Sequence, residues 1–267
     1  MKKGFFKRCD GTFVLGILLG VTICCLYGCK SKVTNESNEN PTESEDNEIV
    51  LGLDVSEYQG DISWQDIAFD KDSLLKHVQW LDSSSLSEQH PISFVVIRAT
   101  KSKGFVDRKF QENFIAAKEN GFNRGAYHFL TDDASGKQQA ENFLKVVNLE
   151  KGDIPPMLDI ESGSFGDVIT IAKEWLEVVE TRLGVKPILY TNENYYKNVI
   201  SQDSTLMAHD LWFSERHGQR PNVPNCILWQ FSESIHVTGI IGNTVDVSLF
   251  YGNADDFRQY IEEKGIK

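Results

Sequence analysis

Residues 155–161 of the chain read PPMLDIE, a short apolar run that ends in two acidic residues. The run predicts a buried β-strand, and side chains two positions apart on a strand point to the same face. Asp159 and Glu161 are therefore expected to project from one face, roughly 6.5 to 7 Å apart along the chain. When two such acids share a buried site, their pKa values separate, so that one acid is a proton donor and the other an anion. The alternative is a strand end with solvated or ion-paired acids.

Seven other apolar runs also end in polar or aromatic residues, and together they predict eight strands. Eight strands are enough to close a barrel that is filled by its own side chains. The eight runs are IVLGLDVSEYQG (49–60), FVVIRAT (94–100), GAYHFL (125–130), PPMLDIES (155–162), PILYTNE (187–193), LWFSER (211–216), ILWQFSE (227–233) and VDVSLF (245–250).

Helical periodicity separates the first five runs, at 64–80, 110–121, 143–147 and 171–184. The last three runs are joined by short polar links such as HGQRPNVPN (217–225), with little room for helices. The pattern predicts an α/β fold, an irregular TIM-like (β/α)5β3 barrel with five β/α units followed by three antiparallel strands. A doubly wound open sheet is the alternative, but it normally has a glycine-rich phosphate turn, which is not evident here.

Polar and aromatic residues stand at the carboxyl ends of these runs, where functional groups gather in barrels built from β/α units. One residue, Asp246, instead opens the last run. The residues concerned are Asp54, Arg98, Tyr127, His128, Asp159, Glu161, Tyr190, Trp229, Gln230 and Asp246. Their positions predict one shared site.

The first 28 residues have the pattern of an export signal. Basic residues at the start precede an apolar stretch from Phe13 to Leu26, which is short for a membrane span. The stretch ends in LYGC (26–29), which resembles a bacterial lipoprotein signal, cut before Cys29 so that Cys29 carries lipid. An uncleaved anchor and an ordinary signal peptide are the alternatives.

Residues 29–48 are polar and acidic, and they predict a flexible tether because they have almost no apolar surface to bury. Residues 49–267 are long enough for one large α/β domain with a substantial core. Only Cys226 lies in this domain, so a monomer forms no disulfide there, and Cys226 is predicted to be a small buried residue.

The charge of the chain argues against nucleic-acid binding. The formal charge of −12 becomes −15 once the net +3 of residues 1–28 is removed. Nucleic-acid binding depends on neutralising phosphates, and the sequence has no basic stripe. An anionic polymer would have to be held locally, by hydrogen bonds and stacking.

Taken in order, several segments resemble the glycoside hydrolase family 25 lysozymes of the cellosyl or Chalaropsis type. They are GLDVSEYQGDISW, FVVIRAT, FVDRKFQENFIAAKENGFNRGAYHFL, GDIPPMLDIE, GVKPILYTN, LWFSER and ILWQFSESIHVTGIIGNTVDVSLF, between about residues 51 and 250. The resemblance implies an irregular β/α barrel that needs no cofactor. It also implies hydrolysis of the β-1,4 bond between N-acetylmuramic acid and N-acetylglucosamine in peptidoglycan.

The same resemblance implies roles for individual residues. Glu161 matches the proton donor and Asp159 its partner acid, while Asp54 and Asp246 match the other acids of the cleft. Substrate-binding positions, where sugars pack on rings, are matched by Tyr127, Tyr190 and Trp229, and Arg98 is a further candidate.

The chain departs from the family pattern at the rim of the predicted cleft. Glu57-Tyr58 stands where the family usually has His-Trp, Lys101 replaces an acidic residue, and the segment 64–91 is longer than usual. These departures bear on substrate preference more than on chemistry.

Asp159 is expected to remain anionic beside protonated Glu161, acting on the transition state directly or through the substrate's 2-acetamido group.

No HExxH or HxH motif indicates a metal, and no nucleophile elbow indicates an esterase. His128 is expected to be a hydrogen-bonding residue. The expected partners are peptidoglycan glycan strands and a membrane reached through the lipid, with the protein a monomer. A lectin-like wall-binding lipoprotein and a chitinase-like glycosidase are the alternatives.

Overall fold

The computed structural model describes residues 49–78, 86, 89–240 and 244–267. The predicted signal peptide, Cys29 and the tether lie outside these residues. Within the described part of the chain, no helix is long and apolar enough to cross a membrane.

The described strands include all eight predicted runs and four shorter segments. In chain order they are β1 (Leu51–Val55), β2 (Ala68–Asp70), β3 (Gln89–His90), β4 (Phe94–Lys101), β5 (Phe105–Val106), β6 (Asn123–Phe129), β7 (Met157–Ile160), β8 (Ile188–Asn192), β9 (Leu211–Ser214), β10 (Cys226–Ile235), β11 (Val237–Thr238) and β12 (Val245–Phe250).

The described α-helices lie mainly between these strands. They are α1 (Lys71–His77), α2 (Phe110–Glu119), α3 (Gly136–Val146), α4 (Phe165–Leu183), α5 (Glu193–Asn198) and α6 (Ala254–Lys264), accompanied by 3-10 turns at Glu57–Gln59, Ile200–Gln202 and Leu206–Ala208.

Eight strands form a closed barrel in the order β1, β12, β10, β9, β8, β7, β6 and β4, and pairing between β4 and β1 completes the ring. Strand β12 is antiparallel to both neighbours, β1 and β10. The other neighbouring pairs are parallel. The prediction of a mixed α/β fold with an eight-stranded barrel is confirmed.

The prediction of three antiparallel closing strands is wrong for β9 and β10, which run parallel to each other and to β8. The reason is the reach of an extended chain. The link 215–225 has no described helix, but a chain of that length can span roughly 35 Å. It can therefore run back, without a helix, to the end of the barrel where the parallel strands begin. A short link thus does not require the next strand to be antiparallel.

The helix predicted for 64–80 is shorter in the structure. Residues 68–70 form β2, which pairs with β11, and α1 begins only after Asp70. The Asp70 carboxylate accepts a hydrogen bond from the Ser73 amide at 2.7 Å, which is a typical N-cap. Pairing with a distant strand therefore prevailed over local helical periodicity.

The barrel interior has its own apolar core, which α6 closes at one end. Phe257 of α6 packs on Phe94 and Phe250, with ring centres 5.4 and 5.0 Å apart. Gly52 leaves space for the Phe94 ring, because a Cβ at this position would lie 2.3 Å from it. The interior is therefore filled at this end, and a cavity remains at the other.

A second apolar cluster lies between the barrel and its helices, around Phe143, Trp175 and Leu158. Helix α4 presents Trp175 to this cluster and ends at Gly184, whose φ of 70° is left-handed, as expected for a glycine C-cap. Cys226 is half-buried, and burial raises its thiol pKa to about 11.

Candidate active site

Four acidic side chains line one cavity at the carboxyl ends of the parallel strands. Asp54 comes from β1, Asp159 from β7, Glu161 from the turn after β7, and Asp246 from β12. Asp246 reaches this end of the barrel although it is near the start of its strand, because β12 is antiparallel and pairs Asp246 with Asp54. The cavity has a volume of about 200 Å³.

Other side chains complete the wall of the cavity and include aromatic and cationic groups. They are Ser56, Tyr58, Gln59, Arg98, Tyr127, Phe129, Tyr190, Trp212 and Arg216. The predicted catalytic residues are thus brought together, with Arg98, Tyr127, Tyr190 and Asp246 beside them.

Asp159 is the most unusual of the four acids. Its side chain is buried, and Oδ1 has no hydrogen-bond partner among the described residues. Burial raises the pKa of Asp159 well above its ordinary value, and the negative charge of Glu161 raises it further. A buried acceptor without a partner costs roughly 1 to 3 kcal/mol. Such a cost is expected at a site that binds a hydrogen-bond donor.

Glu161 lies closer to solvent than Asp159. Burial raises its pKa, while Arg216 and a hydrogen bond with Asn192 lower it. The net direction is upward, so the carboxyl keeps its proton to higher pH than an exposed glutamate. This property suits a general acid.

Asp54 and Asp246 form a second pair of interacting acids. Burial raises the pKa of Asp54 well above its ordinary value and Asp246 adds to the effect, while a hydrogen bond from Tyr127 and the charge of Arg98 oppose it. Burial raises the pKa of Asp246 to about 6, against the lowering effect of Arg216.

A polar network holds one side of the cavity in place. The Oε1 atom of Gln230 accepts hydrogen bonds from the Tyr190 hydroxyl at 2.9 Å, Ser214 Oγ at 3.1 Å and Arg216 Nη2 at 3.0 Å. Its Nε2 donates to Asp246 Oδ2 at 3.4 Å. Gln230 therefore connects an aromatic residue, a cation and an acid of the cavity. Its place at a strand end was the only sign of this role in the sequence.

The sequence profile of glycosyl hydrolases family 25 matches residues 53–240 of the chain. The chain belongs to this family. Lysozyme M1 of Streptomyces globisporus is 27% identical over 223 residues, which cover 77% of this chain and 69% of that protein. The Escherichia coli K12 protein YegX is 30% identical over 223 residues, which cover 82% of this chain and 75% of that protein.

Solved structures of similar proteins share this fold. The bacterial lysozyme of Streptomyces coelicolor aligns with a TM-score of 0.66 at 25% identity, and the alignment covers 82% of this chain and 99% of that one. A family 25 glycosyl hydrolase of Bacillus anthracis aligns with a TM-score of 0.64 at 28% identity, over 79% of this chain and 93% of that one.

Trp229, which was predicted to bind substrate, does not line the cavity. Trp229 belongs to the outer cluster, and its Nε1 donates to the Glu215 carbonyl at 2.7 Å. Trp212 lines the cavity instead, with its ring centre 4.6 Å from that of Tyr190. The cause is strand alternation: Gln230 points inward, so its neighbour Trp229 points outward. The apolar–aromatic order of LWFSER marks Trp212 as a candidate but does not show which face it occupies.

His128 is on the outer side of the family 25 barrel. Its Nε2 donates to Gln139 Oε1 at 3.1 Å, its Nδ1 accepts from Thr100 Oγ1 at 2.7 Å, and its ring stacks on Trp175. Burial lowers its pKa to about 4. His128 is therefore a neutral structural residue. Among the described residues, no group of three or more His, Cys, Asp or Glu side chains is arranged to hold a metal ion.

Proposed function

We propose that this glycoside hydrolase is a lysozyme, an N-acetylmuramidase that cleaves the β-1,4 bond between N-acetylmuramic acid and N-acetylglucosamine. Membership of family 25 and the similarity to Lysozyme M1 support the reaction. The observation that carries the mechanism is the pair of Asp159 and Glu161 in one cavity, both with raised pKa values, with an Asp159 oxygen that has no partner among the described residues.

Glu161 acts as the general acid. Its proton passes to the glycosidic oxygen as the bond from that oxygen to the anomeric carbon of N-acetylmuramic acid breaks. The resulting carboxylate then takes a proton from the water that completes hydrolysis. Burial supports the first step because it keeps Glu161 protonated, and Arg216 supports the second because its charge favours the carboxylate form.

Asp159 acts on the sugar's 2-acetamido group. Its Oδ1 accepts a hydrogen bond from the acetamido N–H, which turns the acetamido oxygen toward the anomeric carbon. This hydrogen bond favours the ionised form of Asp159 over that of Glu161. When the pair of acids holds a single proton, that proton therefore lies on Glu161, which must donate it. The acetamido oxygen then forms a bond to the anomeric carbon as the leaving oxygen departs, and Asp159 stabilises the positive charge.

Substrate assistance of this kind makes two inversions at the anomeric carbon, so the product keeps the β configuration. Direct attack by water would invert it. Proton NMR of the first-formed anomer from soluble glycan strands separates the two courses. Retention is expected, and inversion would exclude the role given to the acetamido group.

The function itself is tested with purified peptidoglycan, with chitin as the second substrate and Glu161→Gln as the inactive control. We expect loss of turbidity with peptidoglycan only, and mass analysis of released fragments should show N-acetylmuramic acid at the reducing ends. Binding without cleavage would favour a wall-binding lectin, and cleavage of chitin a chitinase. The four buried or half-buried acids of the cavity favour the enzyme, because a binding protein does not need them.

We further propose that the barrel is of the irregular (β/α)5β3 type. Five barrel strands are each followed by a helix, and the described residues include no α-helix between β9, β10 and β12. Residues 1–28 are proposed as a lipoprotein signal peptide, Cys29 as the lipidated residue, 29–48 as the tether and 49–267 as the catalytic domain of a monomeric envelope protein. The sequence pattern LYGC supports the lipid anchor.

A further inference from the structure

The acidic cavity is too small to hold much of a polymer. Its volume of about 200 Å³ is below the roughly 300 to 1,000 Å³ of pockets that enclose a whole small-molecule ligand. A glycan strand must therefore continue across the rim. Since the net charge of the chain is strongly negative, contacts on the rim must come from hydrogen bonds and stacking rather than from long-range attraction.

Tyr58 is the prominent aromatic side chain on this rim. It lines the cavity, yet it is 72% exposed, which is unusual for so large a ring. The guanidinium carbon of Arg98 lies 4.9 Å from the centre of the Tyr58 ring and 5.4 Å from that of Phe105, which is 39% exposed. One buried cation thus contacts both of these exposed rings.

Arg98 itself cannot move freely. Its Nε and Nη2 lie 3.0 and 2.9 Å from the Asp107 carboxylate, which is buried. Cation–π contacts of a desolvated guanidinium are worth more than those of an exposed one. Both rings therefore contact a cation that has a fixed position.

The backbone that carries Tyr58 is also held in place. The Glu57 amide donates to Asp107 Oδ2 at 3.0 Å, and Glu57 Oε2 accepts from Arg108 Nε at 2.9 Å. A capping box between Ser56 and Gln59 closes the turn. Because the ledge formed by residues 56–59 is ordered by these contacts, a ligand that stacks on Tyr58 loses little additional conformational entropy.

We propose that Tyr58, with Phe105 beside it, is a stacking platform for a pyranose ring of the glycan strand just outside the acidic cavity. The proposal rests on the muramidase function and adds a subsite to it. The apolar face of a sugar packs on an aromatic ring, and the ledge is continuous with the wall that holds the acids.

The test compares Tyr58→Ala, Tyr58→Leu and Tyr58→Phe on two substrates: long peptide-free glycan strands, and the shortest oligosaccharide of that series that the parent cleaves. We expect the Ala and Leu variants to raise KM for long strands by roughly fivefold to tenfold, with kcat nearly unchanged and no effect on the short substrate. The Phe variant should keep the parental KM. The control is Ile115→Ala. Ile115 is an apolar residue of α2 that is 45% exposed and does not line the cavity, so this variant should keep the parental KM and kcat.

An unchanged KM of Tyr58→Ala for long strands would overturn the platform, as would an equal change on the short substrate or a fall in kcat alone. Binding is measured separately with Glu161→Gln, by titrating long strands with and without Tyr58→Ala in the same chain. Weaker binding of the double variant supports the platform even if the parent cleaves nothing, and equal binding rejects it. Failure of the muramidase function and failure of the platform are thus distinguished.

Discussion

Replacement of Asp159 by asparagine should make the protein less active and, at neutral pH, more stable. The substitution keeps the size of the side chain and removes the negative charge. For activity, the loss of one preorganised electrostatic contact to the transition state costs about 2.7 to 4 kcal/mol, or roughly 10² to 10³ in kcat. For stability, the variant no longer buries a carboxylate whose Oδ1 has no partner among the described residues.

The expected gain in stability follows from removing the negative charge at that oxygen, because asparagine keeps Oδ1 as an acceptor. A buried unsatisfied acceptor costs roughly 1 to 3 kcal/mol, and more when it is charged. Because the amide still carries an unsatisfied oxygen, the gain is only the difference between the two costs, about 1 kcal/mol. For a domain of this size, each kcal/mol shifts Tm by roughly 2 to 4 °C. The variant should therefore melt about 2 to 4 °C above the parent at pH 7, with more if the amide donates to Glu161.

The pH dependence of Tm is a second test of the predicted stabilisation by Asp159→Asn. The folded-state pKa of Asp159 is raised, so the folded protein binds the proton more tightly than the unfolded chain. The parent is therefore penalised only above the unfolded pKa of about 4, and the penalty grows as the pH rises toward the folded pKa. Asparagine has no such penalty. The difference in Tm between the two proteins should be largest at neutral pH and should diminish as the pH falls to about 4.

Asp153→Asn is the matched control, because Asp153 is also a buried carboxylate but is paired with Arg124 at 2.8 Å. Breaking that pair leaves Arg124 poorly compensated and should lower stability by roughly 3 kcal/mol. Thermal melts from pH 4 to 7 and kcat/KM on soluble glycan strands decide the matter. A lower Tm for Asp159→Asn than for the parent at pH 7, or activity within tenfold of the parent, would refute the reasoning about Asp159.

Further predictions concern the general acid, the second acid pair, the lipid anchor and the core. Glu161→Gln should fold normally by circular dichroism but lose roughly 10² to 10⁴ in rate, and activity within a few-fold of the parent would remove Glu161 as the acid. Asp246→Asn should reduce kcat/KM less than Asp159→Asn does, and it should leave the alkaline limb of the pH profile of kcat/KM nearer its parental position than Asp159→Asn does. Equal losses with identical pH profiles would indicate one diffuse acidic cleft. Cys29→Ser should abolish lipid labelling and leave the protein unprocessed or soluble, and unchanged lipid labelling and membrane partitioning would contradict the anchor. Gly52→Ala should destabilise the domain by roughly 1 to 3 kcal/mol in a denaturant melt, because the new methyl group meets Phe94 at 2.3 Å; an unchanged melt would show that the ring moves aside.

Much of the barrel was predictable because strands leave a local record in the sequence. The eight apolar runs with polar ends correspond to the eight barrel strands, and the spacing of Asp159 and Glu161 placed both on one face. The helices after β4, β6 and β7 were also predicted from periodicity. These properties depend on residues close together in the chain, so they can be read without knowledge of distant contacts.

Contacts between distant segments account for what was missed. The direction of β9 and β10 depends on how far the link 215–225 extends, and the shortening of the helix at 64–80 depends on pairing between β2 and β11. Neither is encoded in the local pattern of apolar residues.

The sequence by itself determined which acids the protein carries, the strands that bear them and the family to which it belongs. Only the tertiary structure decided that Trp212 rather than Trp229 lines the cavity, that Gln230 connects Tyr190 with Asp246, and that Arg98 contacts the rings of Tyr58 and Phe105. The physical reason is that burial and charge act over a few ångströms in space, and closing the barrel brings together groups that are far apart in the chain. The raised pKa values of the acids arise in the same way, because desolvation exists only once the surrounding strands are in place.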